Sequence, residues 1–363
     1  MFHASGKSID DLMRSVFKQL LSGRSNYLVN SQKGTSTEVF GALLELENPR
    51  ARLSRSFSRA KAFSPLGELF WYLAGDESID FISHYIPSYH QYSSDGVLAK
   101  GAYGPRLFGH AAAKKLTGKS EWDRALNNLR ERPGSRNAVI QIYSNKDDKP
   151  KNKDKPCTCT IQFAIRKNRL LMHTHMRSND AYLGLPHDVF SFTMLQEIAA
   201  RELGVGLGEY THSVASLHLY HDEPESTQQR ASSNLHAKAQ SYFDEGLHES
   251  VPMPAMPEGD PWESIKHVKD AEEAIRTGNL GYTPPVKLDP YWKDFVSLFR
   301  IHKIFDIIKK TNPDDTKKNN QLREVIKIMG EMDNVYRLYI MDRLNTKNPP
   351  IRDLFDYADQ GKN

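Results

Sequence analysis

The sequence predicts an α+β protein with a helical C-terminal extension, on three observations. Between residues 137 and 220, segments with strand alternation flank one amphipathic helical segment over 189–203. From residue 262 onward, Lys- and Leu/Ile-rich segments keep a helical period. The 363-residue chain is 39% apolar and 26% charged, a balance that supports a sizeable core in one large domain with an appendage. No run of eighteen apolar residues occurs, and Met1 to Gln19 lacks a signal-type apolar stretch, so a cytoplasmic protein without membrane insertion is expected. A net charge of +4 is too weak to argue for nucleic acid and suits small anionic ligands. The only cysteines, Cys157 and Cys159, are spaced for neither a disulfide nor a zinc set, and reduced thiols are expected.

Residues 9–22 carry apolar side chains at helical spacing, and Gly34 to Glu45 reads as a glycine-containing loop entering a strand. Ser64-Pro65 reads as N-cap and N1 of a helix that stops at Gly75. Its Glu68 is either a buried carboxylate or a first-turn Glu favoured by the helix dipole. A helix over Glu121–Arg132 ends at Pro133-Gly134, and Asn137–Tyr143 reads as a strand. The charge run NKDDKPKNKDK is a solvated loop. From Cys157 a strand runs to a turn near Lys167-Asn168 and returns to Met176, followed by a helix over 189–203 and a strand over 211–220. Helices are expected over 262–277, 290–310 and 319–345, and the domain boundary at 245/246, ahead of a Pro/Met-rich stretch. No internal repeat is present.

Four motifs stand in order. Pro156-Cys157 precedes Gln162-Phe163. Arg177-Ser178-x-Asp180-x-x-Leu183-Gly184-x-Pro186 follows, then His218-Leu219-Tyr220. Upstream lies Glu68-Leu69-x-Trp71 with Gly75-Asp76. Over roughly residues 34–226 the chain resembles the thymidylate synthases and their relatives, the pyrimidine-nucleotide hydroxymethylases. The resemblance implies that family's mixed sheet flanked by helices and a homodimer acting on a pyrimidine nucleoside monophosphate with 5,10-methylenetetrahydrofolate. It implies Cys157 as the nucleophile that adds to carbon 6, with Arg177 favouring the thiolate and holding the phosphate beside Ser178. Glu68 would organise water and relay protons, and Tyr103 would assist loss of the carbon-5 proton. His218 and Tyr220 would hold the sugar. Gln162 and Asp180 complete the nucleotide-binding set, and Arg136 would reach the partner subunit's phosphate. No metal is implied. Cys159 reads as an inert strand thiol.

Asp188 stands where thymidylate synthases carry an asparagine. A carboxyl there can accept from the cytosine N4 amine and complete a second bond when it or N3 carries a proton. The expectation is therefore hydroxymethylation of a cytosine nucleotide, although Asp188 could also cap the helix beginning at Val189. The family's phosphate arginine near the N-terminus is missing, leaving Lys33 or Arg24 to substitute. The acidic residue two before the histidine of His-Leu-Tyr is Ser216. Competing readings are a divergent thymidylate synthase acting on dUMP and a nucleotide-binding protein that engages partners through its helical C-terminal portion.

Overall fold

The computed structural model describes residues 1–24, 27–31, 34–56, 58–59, 61–110, 120–149, 152–221, 235–245 and 251–347. In chain order these form β1 (Phe2–Gly6), α1 (Ile9–Leu21), β2 (Tyr27–Ser31), β3 (Gly34–Leu46), α2 (Phe63–Leu73), α3 (Ile79–Tyr85), α4 (Gly104–Phe108), α5 (Glu121–Glu131), β4 (Val139–Gln141), β5 (Thr158–Arg166), β6 (Arg169–Asp180), α6 (Leu185–Glu202), β7 (Gly206–Tyr220), α7 (Leu235–Asp244), α8 (Trp262–Arg276), α9 (Pro290–Thr311), α10 (Asp315–Gly330) and α11 (Arg337–Lys347). The chain divides into two compact units, one of residues 1–59 and 64–261, the other of 60–63 and 262–363.

The first unit is built on a mixed sheet in the order β1-β3-β7-β6-β5-β4, with β2 hydrogen-bonded to β3. This is the α+β architecture of helices flanking a mixed sheet. The β5–β6 hairpin closes through Lys167 and Asn168, both at positive φ, as a tight turn between right-twisted strands demands. β6 and β7 are parallel, and α6 supplies the crossover that parallel strands require. Leu195, Ile198 and Ala199 of α6 are fully buried. A ladder irregularity between Leu170 and Met172 frees carbonyls there, and the buried Gln196 amide donates to Leu170, Gly208 and Glu209.

Several elements differ from the sequence reading. α6 begins at Leu185 with Pro186 in its first turn, so Asp188 lies inside the helix; the N-cap is Gly184. Glu68 sits in the middle of α2, which starts at Phe63, and so is no first-turn residue. Short β1 and β2 and helices α3, α4 and α7 lacked a distinctive period. The Pro/Met-rich stretch belongs to the first unit: Met253 and Met256 are buried, Met253 exchanges hydrogen bonds with Arg50, and the Met256 amide donates to Glu197.

In the second unit α8 and α9 pack through Ile265, Val268, Ala271 and the apolar face of α9. The expected helix over 319–345 is two, because Asp333 caps a turn after Gly330 and its amide donates to Asp294. Among the described residues no helix is long and apolar enough to cross a membrane.

Buried Arg52 and Glu197 form the central ion pair of the first unit. Removing one partner leaves the other charge without compensation at a cost of roughly 3–5 kcal/mol. Glu197→Ala should therefore lower the urea-unfolding free energy by about that amount, and Arg52→Met with Glu197→Leu should lose much less; equal losses would show that the pair itself supplies the stability.

Candidate active site

The site is assembled on the first residues of the β5–β6 hairpin. Cys157, half-buried, lies just before β5, and the Arg177 backbone amide donates to its carbonyl at 2.9 Å. The Arg177 side chain turns back over the same segment: Nε donates to the Pro156 carbonyl at 2.9 Å and Nη2 to the Lys155 carbonyl at 3.1 Å. This clamp leaves Nη2 at 3.9 Å from Cys157 Sγ. A fixed cation beside a sulfur favours the thiolate. Cys159 differs: burial pushes its thiol up, against the opposing influence of Arg177.

Phenols and carboxyls close around the sulfur. Tyr103 Oη accepts the Thr158 amide at 3.2 Å, and its ring stacks toward Tyr72 and Phe192. Burial first, then the charges of Cys157 and Asp188, push this phenol well above its ordinary value, so it is neutral. Tyr72 donates to Glu68 Oε1 at 2.8 Å, and Tyr89 lies edge-on to Trp71 within electrostatic range of Glu68, Tyr103 and Cys157. Burial raises Glu68 to about 7 despite the Tyr72 hydrogen bond. Asp188 is also raised well above the carboxylate range, by burial first and then by Glu68 and Asp180. Cys157, Arg177, Glu68, Tyr103 and Asp188 thus share one neighbourhood.

Other sequence-identified residues are placed differently. Asp180 Oδ1 accepts the Tyr182 and Leu183 amides and shapes the turn into α6. Gln162 donates to the Arg136 carbonyl at 3.1 Å, five residues along β5 from Cys157, about 17 Å at strand spacing. Exposed Arg136 therefore stands apart from its own chain's thiol. Ser178 lies opposite Ser216 in the β6–β7 ladder. His218 is buried with its ring edge-on to Tyr220, and its Nδ1 faces Ser216. Lys33 lies outside the described residues. Among the described residues no group of three or more His, Cys, Asp or Glu is arranged to hold a metal ion.

Sequence reasoning missed Tyr72, Tyr89, Asn179, His212 and Glu38. Of these only Tyr72 carried a signal, its i+4 spacing from Glu68 on one helix. Arg59 was missed too; it donates to the Leu183 carbonyl beside Tyr182 and approaches His187.

The elevated Glu68 has a stability consequence. An acid whose folded pKa exceeds its unfolded one binds more protons when folded between the two values, so its contribution is lost as pH rises from the ordinary glutamate range to about 7. Glu68→Gln removes this titration. The unfolding free energy of the variant minus that of the wild type should therefore rise, by on the order of 1–3 kcal/mol, between about pH 5 and about pH 8 in urea titrations. A flat difference would place the Glu68 titration outside that window.

The thymidylate synthase family model matches residues 33–245. A deoxyuridylate hydroxymethyltransferase of Delftia phage PhiW-14 is 30% identical over 196 residues, covering 52% of this chain and 54% of the relative. The deoxyuridylate hydroxymethyltransferase of Bacillus phage SP01 is 29% identical over 203 residues, 51% of each. The thymidylate synthase of Listeria monocytogenes serovar 1/2a is 30% identical over 109 residues, 30% of this chain and 34% of the relative. The chain spans about half the length of the two hydroxymethyltransferases. The matched segment takes in more than half of the sequence and the whole Cys157–Arg177–Asp188 neighbourhood, and on that ground the chain belongs to the thymidylate synthase family.

Proposed function

We propose that the chain transfers a one-carbon unit to carbon 5 of a cytosine nucleoside monophosphate, giving the 5-hydroxymethyl product, by covalent catalysis at Cys157. The observation that carries the reading is the Cys157 sulfur at 3.9 Å from a guanidinium fixed by two carbonyls, with neutral phenols and raised carboxyls around it. The thiolate forms a bond to carbon 6, which makes carbon 5 nucleophilic; that bond breaks after carbon 5 has gained the new carbon and lost its proton. Tyr103, kept neutral, holds a hydroxyl near the reacting ring. Glu68, raised to about 7, exchanges protons with water at neutral pH. 5,10-Methylenetetrahydrofolate would supply the one-carbon unit at the formaldehyde level and leave as tetrahydrofolate, and water would supply the hydroxyl of the 5-hydroxymethyl product. Tyr89, half-exposed with its ring edge-on to the fully buried Trp71, is the aromatic surface these residues offer a flat heteroaromatic donor.

Asp188 supports cytosine. In its raised, protonated state it offers a donor and an acceptor, which match cytosine N3 and the N4 amine. Basic N3 can also take the proton and leave a charge-assisted pair, which uracil cannot do. A second reading, hydroxymethylation of dUMP, is favoured by the names of the two phage relatives, and a protonated carboxyl can meet uracil N3–H and O4. Arg136, exposed away from its own thiol, supports a homodimer in which it serves the partner's phosphate.

Tritium release from carbon 5, measured with methylenetetrahydrofolate and either dCMP or dUMP, tests the assignment. Release should be faster from dCMP, fall at least ~10³-fold in Cys157→Ser, and shift toward dUMP by at least ~10-fold in Asp188→Asn. A faster dUMP reaction in the wild type, with a 5-hydroxymethyl product by mass spectrometry, would establish the second reading. No release from any pyrimidine nucleotide, with unchanged nucleotide binding by Cys157→Ser, would leave a binding protein.

A further inference from the structure

The charge run over residues 145–155 is fastened to the segment that carries Tyr103 by two of its acids. Asp147, near the start of the run, accepts from both terminal nitrogens of Arg106 in α4, at 2.7 and 2.6 Å. The same guanidinium donates to the Ile142 and Lys100 carbonyls, each at 2.7 Å. Asp154, three residues before Cys157, accepts the Gly101 amide through Oδ2 at 2.8 Å. Tyr103 therefore stands between two anchored points, Lys100-Gly101 on one side and Arg106 on the other.

The approach on either side of Tyr103 is closer than a side chain permits. A Cβ on Gly101 would lie 2.9 Å from the Asp154 carboxyl and 2.9 Å from the Asp154 carbonyl oxygen. A Cβ on Gly104 would come within 2.6 Å of the Tyr72 carbonyl oxygen and 3.1 Å of that of Trp71, both in α2. Glycine at both places lets the chain pack directly against its neighbours. The phenol is thus carried on a short piece of chain seated between the residues that run into Cys157 and the helix that holds Glu68 and Tyr72. Its hydroxyl accepts the Thr158 amide at 3.2 Å, one residue beyond the nucleophile.

We propose that Asp154 is a positioning residue for Tyr103: by holding the Gly101 amide it sets where the phenol hydroxyl stands relative to the Cys157 sulfur. Arg177 grips the carbonyls of Lys155 and Pro156 from β6, and Asp147 braces the Tyr103 segment through Arg106. Asp154 joins the two, because it immediately precedes the residues that Arg177 grips and bonds the chain that carries the phenol. The catalytic consequence rests on the proposed roles of Cys157 and Tyr103. A misplacement of about 1 Å among reacting groups can cost on the order of 10²-fold in rate. The Asp154 charge also acts on Tyr89, second to burial, so the hydrogen bond has to be tested apart from the charge.

Two variants make that separation: Asp154→Ala removes both, and Asp154→Asn removes the charge but keeps an acceptor oxygen. In the free protein, amide exchange followed by NMR needs no substrate. Asp154→Ala should speed exchange of the Thr158 amide by ~5-fold or more, and Asp154→Asn should leave it near the wild-type rate. Unchanged Thr158 exchange in Asp154→Ala would mean that the phenol keeps its place without the acid, and overturns the proposal. With substrate, tritium release from carbon 5 of the preferred nucleotide should lose ~10-fold or more in kcat in Asp154→Ala with KM within ~3-fold, and Asp154→Asn should recover most of the loss. Equal losses in the two variants would assign the effect to the charge, and an undiminished kcat would mean that the place of the phenol does not matter to the reaction; either overturns the proposal. Gly101→Ala, which forces the two segments apart with the acid in place, should reproduce both effects should Asp154→Ala fail to fold. Faster Thr158 exchange, with no tritium released from any pyrimidine nucleotide by the wild type, would retain the positioning role and sink the reaction instead.

Discussion

One side chain organises the thiol: Arg177 grips the backbone of residues 155–157 with its own amide, Nε and Nη2. Hydrogen bonds from a charged donor are stronger than neutral ones, and two of them from the guanidinium, with a third from the backbone amide, hold three consecutive residues at the entrance to β5 against β6. The position of the guanidinium beside the Cys157 backbone is therefore a property of the hairpin. That hairpin depends in turn on the Lys167-Asn168 turn, which sets the register from Arg166–Arg169 to Thr160–His175; an irregularity between Thr158 and Thr160 then shifts the ladder so that Thr158 pairs with Met176.

Around this cation the fold places groups that resist charge. Three phenols are raised well above their ordinary range, Glu68 stands at about 7, and Asp188 is raised beside it. Two carboxyls within electrostatic reach of each other in a poorly solvated region are not both ionised at neutral pH. The neighbourhood thus holds movable protons near a fixed positive charge, which suits addition of a thiolate to a neutral ring and subsequent proton exchange. The separation of roles between the two thiols follows from the same geometry. Cys157 precedes the strand and meets the guanidinium; burial acts first on Cys159, whose carbonyl accepts the Ile142 and Tyr143 amides.

The hairpin, α6 and β7 were legible because alternation, a helical face and turn residues agree along contiguous stretches. Cys157, Arg177 and Asp188 were legible because motif spacing carries them. Boundaries were less so. Asp188 read as a cap because Val189 opens the strongly apolar run, whereas Pro186 starts the helix a turn earlier. The single helix expected over 319–345 hid a side-chain-capped turn at Asp333, which periodicity does not register. Asn179 and His212 were invisible for a different reason: they meet across the β6–β7 pairing, 33 residues apart, and neither belongs to a motif. Partners made by sheet register leave no local trace in one sequence.

Ser216 shows how far register can alter a reading made along the chain. Its hydroxyl, in place of the family's acid, removes a carboxylate from the strand that carries His218. In the sheet, Ser216 Oγ donates to Glu38 of β3, the residue paired with His218 in the β3–β7 ladder, while His218 Nδ1 faces Ser216. A carboxyl group absent from position 216 of β7 is thereby supplied from the adjacent strand, with the serine hydroxyl between it and the imidazole. The cross-strand pair places the acid as close as a residue two positions away on the same strand would, because directly paired residues in an antiparallel ladder lie about 4.5–5.5 Å apart. What one strand lacks in sequence, its neighbour provides in space, and the histidine keeps an acidic neighbour.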